Sequence, residues 1–197
     1  MAEAARPRVP RIVVGLGNPG ARYAATRHNV GFDAADCLAH RLGASWRLRN
    51  GVLDVADGRR AARPYLLLKP MTYMNRSGAP LRLAFSDLGG RLEELLVLLD
   101  DFNLDLGRLR IRPGGSEGGH NGLRSIISML GTQQIPRLRM GVGPPPEFEP
   151  VDQFVLKRFP PADRKLADEM VERAAEAAFE WLEGADLESL MNRYNRQ

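Results

Sequence analysis

The chain has 197 residues, 44% of them hydrophobic and 26% charged, with a formal charge of +4 from 28 basic against 24 acidic side chains. That size and mixture fit one soluble domain able to bury its own core, and they exclude a disordered polymer or a disulfide framework, since Cys37 is the only cysteine. The modest basic excess permits a nucleic-acid partner without demanding one.

The opening MAEAARPRVP has no apolar core of the signal-peptide kind, and nowhere do about 18 apolar residues run together, so the expectation is a cytoplasmic protein with no membrane partner. RIVVGL (11–16) is β-branched and closed by glycine, a buried strand. FDAADCLAHRLG (32–43) spaces Phe32, Ala35, Leu38, Ala39 and Leu42 as a helix stopped by Gly43. The segments 46–58 and 63–70 read as two strands, and 77–89 as a helix capped by Ser77. In 91–103 the apolar run ELLVLL suits an interior strand, and 106–112 alternates Leu109 and Ile111 with Arg108, Arg110 and Arg112, a strand with one wet face. A helix over 120–131, a strand over 137–146 ending in prolines, and a long helix within 154–184 complete the pattern. The alternation predicts one α/β domain, a three-layer α/β/α sandwich around a twisted mixed sheet.

GLGNPGARYAATRHN (15–29) follows the first strand and matches the letters of a dinucleotide loop. Such a loop runs straight into a helix whose N-terminus receives the pyrophosphate, whereas here Pro19 removes a donor and TRHN stands where that helix would begin. The alternative is a rigid turn carrying Asn18, which either caps its own turn or offers a donor and an acceptor to a substrate amide or ester.

Of the three histidines, His40 sits near a helix end, and His28 stands in a loop outside the apolar pattern. An imidazole can take a proton from water if an acid fixes its tautomer, and Asp100, at the end of an interior strand where open α/β folds bind ligands, is the favoured partner. KPMTYMNRSG (69–78) presents Tyr73 and Asn75, and GGSEGGHNG (114–122) presents His120 and Asn121. Asparagines beside three strand ends suit substrate positioning and carbonyl polarisation. No HExxH, CxxC or GxSxG is present, so a metal centre, a thiol nucleophile and a serine elbow are not expected, leaving attack by a histidine-activated water on an acyl group.

VVGLGNPGARYAATRHNVGF, KPMTYMNRSG, LLDDFNLDLG and GGSEGGHNGLRSI resemble, in order and spacing, the signature segments of bacterial-type peptidyl-tRNA hydrolases, and the likeness continues through RLRMGVGPP and FVLKRF. It covers roughly 11–185, leaving 1–10 as a flexible extension and 186–197 as a tail. The resemblance implies hydrolysis of the ester joining peptide to tRNA, with no cofactor or metal, no obligatory protein partner, and a monomer. It makes His28 the general base, Asp100 its supporting acid, and Asn18 the group that distinguishes an N-blocked or peptidyl substrate. Asn75 and Asn121 would position substrate and water, Tyr23 and Tyr73 take aromatic positions of the site, and His120 supports the pocket. Arg108, Arg110, Arg112, Lys157 and Arg158 are candidates for phosphate contacts. Leu99 stands where some members have histidine, and Asn103 and Asp105 where acidic and proline residues are familiar. A noncatalytic RNA-binding relative, using an exposed apolar patch, is the rival account.

Overall fold

In the computed structural model, residues 9–60, 63–88 and 90–196 are described. The strands are β1 (Arg11–Gly15), β2 (Arg47–Arg49), β3 (Leu53–Arg60), β4 (Arg63–Pro70), β5 (Leu95–Asp105), β6 (Leu109–Arg112) and β7 (Arg137–Gly143). They form one sheet in the order β2-β3-β4-β1-β5-β7-β6, with β4, β1, β5 and β7 parallel and β2, β3 and β6 antiparallel to their neighbours. The helices are α1 (Val30–Leu42), α2 (Gly78–Leu88), α3 (Asn121–Leu130), α4 (Val151–Val155), α5 (Pro161–Glu183) and α6 (Leu187–Tyr194).

Strand periodicity divides the core between the two faces. Val13, Leu96, Leu98, Leu138 and Met140 pack on one side beneath α1, α4, α5 and α6, while Ile12, Val14, Val97 and Leu99 pack on the other beneath α2 and α3. The expected three-layer sandwich is therefore present. Because β1 connects through α1 to β4 on one side, and β4 connects through α2 to β5 on the other, the order reverses at β1. A crevice opens there beyond the carboxyl ends of the strands.

The glycines of the first loop act by close approach. Cβ atoms at Gly15 and Gly31 would collide with Gly31 O and with Leu98 O respectively, and one at Gly17 would enter the Phe32 ring. Helix α1 thus seats directly on β1 and β5, and the loop's apparent phosphate cradle is filled by protein. The chain after Gly20 makes two short 3-10 turns, Ala21–Tyr23 and Arg27–Asn29, with Ala25 between them in the left-handed region at φ 60°. The first turn of α1 meets the loop only after this excursion, and its Phe32 N–H is already taken by Leu16 O at 3.1 Å, so the dinucleotide reading fails on geometry.

Several expectations are corrected. The single strand over 46–58 is a hairpin, turned by Asn50 and Gly51 at φ 52° and 69°, which the Asn-Gly pair encodes. Ser77 does not cap α2: its hydroxyl donates to Met74 O at 2.8 Å, and the Gly78 N–H instead donates to Ser125 Oγ of α3 at 3.0 Å. The long helix expected within 154–184 is α5, set off by Pro160 and Pro161 from the short α4, and its Leu166 is exposed rather than core. The segment read as a tail contains α6, whose Leu190 and Tyr194 complete the core beside β6. Residues 1–8 of the expected N-terminal extension lie outside the described residues, and the Arg63 Nε donates to Val9 O at 3.0 Å. Among the described residues no helix is long and apolar enough to cross a membrane.

Candidate active site

Beyond the ends of β1, β4 and β5 lies a cleft of about 550 Å³ lined by Asn18, Tyr23, His28, Tyr73, Asn75, Asp100, His120 and Asn121. All the residues singled out from sequence as a site thus converge, although they come from four separate segments. Met74, Phe102, Gly119, Val151, Asp152, Val155 and Leu156 form the rest of the wall.

Asp100 is the hub. Its carboxylate, 3% exposed at the level of the sheet where β5 outruns β1, accepts from His28 Nδ1 at 2.9 and 3.0 Å and from His120 Nε2 at 3.0 Å. The two rings lie 4.9 Å apart. Burial alone would raise the Asp100 pKa, but the charges and hydrogen bonds of the two imidazoles outweigh it and hold the carboxyl well below the usual range. For His28, burial works to lower the pKa, and the Asp100 charge and hydrogen bond more than reverse this, so the imidazole sits above its ordinary 6.5.

Hydrogen bonds assign the tautomers. His120 is the N-cap of α3, its Nδ1 accepting from Leu123 N at 3.2 Å, so its proton is on Nε2 and points at Asp100. His28 Nδ1 faces the same carboxylate, which leaves Nε2 with its lone pair as the atom offered to the cleft. The sequence reading set the three histidines apart, yet His28, Asp100 and His120 bring ligand-type atoms within 4.8 Å of one another. The protonated Nε2 of His120 makes this cluster hydrogen-bonded in character rather than a set of lone pairs converging on a cation.

Asn18 is held more tightly than a turn cap requires. Its Oδ1 accepts from Met74 N at 2.8 Å, its N–H donates to Asn29 Oδ1 at 2.9 Å, and its carbonyl accepts from Asn29 Nδ2 at 3.0 Å. With the side-chain acceptor occupied, only the Nδ2 donor is left for the cleft, which suits a carbonyl oxygen and not an amide N–H. Asn121 behaves alike: Arg124 Nη1 donates to its Oδ1 at 3.1 Å, leaving its amide donor. Asn75 is exposed at the rim, and Tyr23 and Tyr73 meet edge to face with centroids 6.4 Å apart.

Three supporting residues escaped the sequence reading. Asn29 clamps Asn18 as described. Arg27, buried beside His28, stacks over Phe154 and Phe159 and donates to Lys157 O at 3.3 Å and Arg158 O at 3.0 Å, fixing the segment after α4 against the histidine loop. Arg137 is fully buried and donates to Ile135 O, Gly115 O, Ser116 O and Gln133 O at 2.7–2.9 Å, which pins the glycine-rich loop leading to His120. Burial, then the neighbouring Arg139, lowers its pKa to about 10. The double asparagine clamp and the buried arginines leave no periodic signal in sequence, because each depends on a carbonyl or amide supplied by a distant loop.

Among the phosphate candidates, Arg110 and Arg112 on β6 and Arg108 just before it are exposed, while Lys157 Nζ is engaged with Glu149 at 2.7 Å. The departures are benign: Leu99 is core, and Asn103 donates twice to Asp101 Oδ1, at 3.0 and 3.2 Å, without touching Asp100.

An open α/β sheet whose switch-point cleft pairs a carboxylate-held imidazole with several free amide donors defines a hydrolase that acts on a carbonyl compound. The family model described as peptidyl-tRNA hydrolase matches residues 12–197. Peptidyl-tRNA hydrolase of Mycobacterium tuberculosis strain H37Rv is 46% identical over 186 residues, covering 93% of this chain and 96% of that protein. The one from Moorella thermoacetica is 47% identical over 185 residues, covering 93% and 97%. The crystal structure of the Acinetobacter baumannii enzyme superposes with a TM-score of 0.88 at 32% identity over 98% of each chain. The chain belongs to the peptidyl-tRNA hydrolase family, and it hydrolyses the ester bond of peptidyl-tRNA to release the tRNA.

Proposed function

We propose that His28 is the general base of this hydrolysis, and the observation that carries the reading is its geometry: Nδ1 bound to the buried Asp100 and Nε2 open to the cleft. A water on Nε2 attacks the ester carbonyl while its proton passes to the imidazole. The imidazolium that forms is stabilised by Asp100, which does not take the proton. The tetrahedral oxyanion is met by amide donors, for which Asn18 Nδ2 and Asn121 Nδ2 are free, and collapse expels the ribose oxygen, which recovers the proton from His28.

Asn18 reads the peptide carbonyl that distinguishes an N-blocked substrate. Asn75 and Asn121 position substrate and water, and Tyr23 and Tyr73 form an aromatic rim for the acceptor end. His120 supports the pocket by holding the second lone-pair direction of Asp100. The exposed Arg108, Arg110 and Arg112 supply phosphate contacts along the acceptor arm. As the resemblance implies, the enzyme acts as a monomer with no obligatory protein partner, metal or cofactor. The single half-buried cysteine agrees with a cytoplasmic setting. The exposed large apolar side chains are spread over β2, α2, α3, α5 and the loops between, an arrangement that favours an enzyme over a relative docking through one apolar patch.

The test compares the parent with His28→Ala on N-acetyl-aminoacyl-tRNA and on deacylated tRNA. Loss of hydrolysis with retained RNA affinity supports the assignment, and near-parental hydrolysis removes it.

A further inference from the structure

Two imidazoles share one carboxylate, and they share it unequally. Oδ1 of Asp100 accepts from His28 Nδ1 at 2.9 Å and from His120 Nε2 at 3.0 Å, whereas Oδ2 accepts from His28 alone among the described residues, at 3.0 Å. His120 has no nitrogen left for the cleft. Its Nδ1 accepts from Leu123 N at 3.2 Å, and its ring lies so close to its own helix that a Cβ at Gly122 would stand 3.0 Å from Cε1. A proton taken from water therefore has one destination, His28 Nε2, and His120 acts on the reaction only through Asp100.

That action has a sign. Asp100 is buried, so its donors, and not solvent, decide how much of its charge reaches His28. The His120 N–H brings its positive end to the same oxygen that His28 uses, with the two rings 4.9 Å apart, and so opposes the imidazolium that Asp100 favours. The same hydrogen bond helps to hold the Asp100 carboxyl below its usual range, which leaves the carboxylate partly satisfied before His28 is protonated.

The other charged and titratable groups around the pair are engaged elsewhere or stand off. Asp101 of β5 turns to Arg139 Nε at 2.9 Å, and Arg27 lies over Phe154 and Phe159. Arg124 of α3 is held by Glu117 and Asn121, and Asp33 of α1 faces Asp36, Lys69, Arg164 and Asp168. Tyr23, Tyr73 and Asp152 of α4 line the cleft with His28 but make no hydrogen bond or ion pair with it.

We infer that His120 is a positioning residue that tunes the base: its N–H takes up part of the Asp100 charge, so that His28 becomes a working base at a lower pH than Asp100 alone would allow. This rests on the reading of His28 as general base.

The experiment follows kcat/KM on N-acetyl-aminoacyl-tRNA between about pH 5 and 8.5, corrected for spontaneous ester hydrolysis, for the parent, His120→Asn, His120→Phe and His28→Ala. In His120→Asn the amide oxygen stands in for Nδ1 as the cap of α3 while nothing replaces Nε2, and in His120→Phe the ring volume is kept and both nitrogens go. Removing this donor should move the acid limb up by about one pH unit in both variants, so that each loses about ten times more activity on the acid side of the limb than above it. NMR titration of the His28 ring in the same proteins should show the same upward shift without turnover. A limb that stays in place or moves down in either variant, or a loss equal at every pH, as a merely structural role would give, overturns the inference. A parent without an acid limb, or a His28→Ala protein that keeps the parental profile, strikes the base reading instead, so the two failures are distinguishable.

Discussion

Replacing Asp100 by asparagine removes one buried negative charge while keeping an oxygen able to accept from both His28 Nδ1 and His120 Nε2, the two donors that Oδ1 now meets at 2.9 and 3.0 Å. The variant therefore tests charge more than shape. In the transition state His28 is an imidazolium, and its partner is fully enclosed. Leaving such a buried charge without its counter-ion costs about 3–5 kcal/mol. At about 1.4 kcal/mol per factor of ten this is a loss of roughly 10²–10⁴ in kcat/KM. The pH profile supplies the second reading. His28 must be neutral to act as base, and its pKa is raised, so parental kcat/KM climbs with pH through an acid limb above 6.5. With the Asp100 charge gone, burial is opposed only by the remaining hydrogen bond, so the acid limb moves to lower pH even as the plateau falls. Initial rates on N-acetyl-aminoacyl-tRNA between about pH 5 and 8, corrected for spontaneous ester hydrolysis, measure both. A profile that stays in place or moves to higher pH, or a plateau within threefold of the parent, would refute the argument.

Asn18→Asp keeps an acceptor for Met74 N but loses the amide donor, so hydrolysis of N-acetylated substrate should fall by about 10²–10³, comparable to removing one oxyanion donor; equal activity would count against carbonyl recognition. Asn29→Ala removes two buried hydrogen bonds and leaves their partners unsatisfied, and a loss of about 1–3 kcal/mol in unfolding free energy is expected by denaturant titration. Arg110→Ala and Arg112→Ala should each weaken tRNA binding and reduce the slope of log affinity against log salt by about one, with kcat at saturating substrate preserved. The His28–Asp100 pair also predicts opposite stability trends. The contribution of His28, whose folded pKa is raised above 6.5, is complete below that value and is lost as pH rises through the folded pKa. That of Asp100, depressed from 3.8, is present above its unfolded value and is lost only as pH falls through the depressed one, so acid unfolding of His120→Ala, which removes one support of the low pKa, should begin at higher pH.

Much of this was legible in the residues because the relevant signals are local. Buried strands such as Arg11–Gly15 and helices such as Asn121–Leu130 announce themselves by period and by the glycine that ends them. His28 and Asp100 could be paired because the polar loops fall at strand ends, where open α/β sheets gather ligands. What escaped depends on contacts between distant segments. His120 was assigned to support, yet its bond to Asp100 requires the approach of α3 to β5. The role expected of Ser77 is taken by Ser125 because Gly78 lets α2 and α3 touch there. Arg137 is the strand residue expected at the start of β7, but its work as a buried clamp on four carbonyls depends on loops that the strand pattern does not show. The long helix within 154–184 was legible as α5, whereas the five-residue α4 is too short to show a period.

Hydrolysis of N-acetyl-aminoacyl-tRNA by the purified protein, beside His28→Ala, with EDTA present and free aminoacyl-tRNA as control, tests the central claim most directly. The account predicts rapid release of tRNA by the parent alone, confined to the N-blocked substrate and indifferent to the chelator. Full activity in the folded His28→Ala protein, or a parent that needs a metal ion, would contradict it.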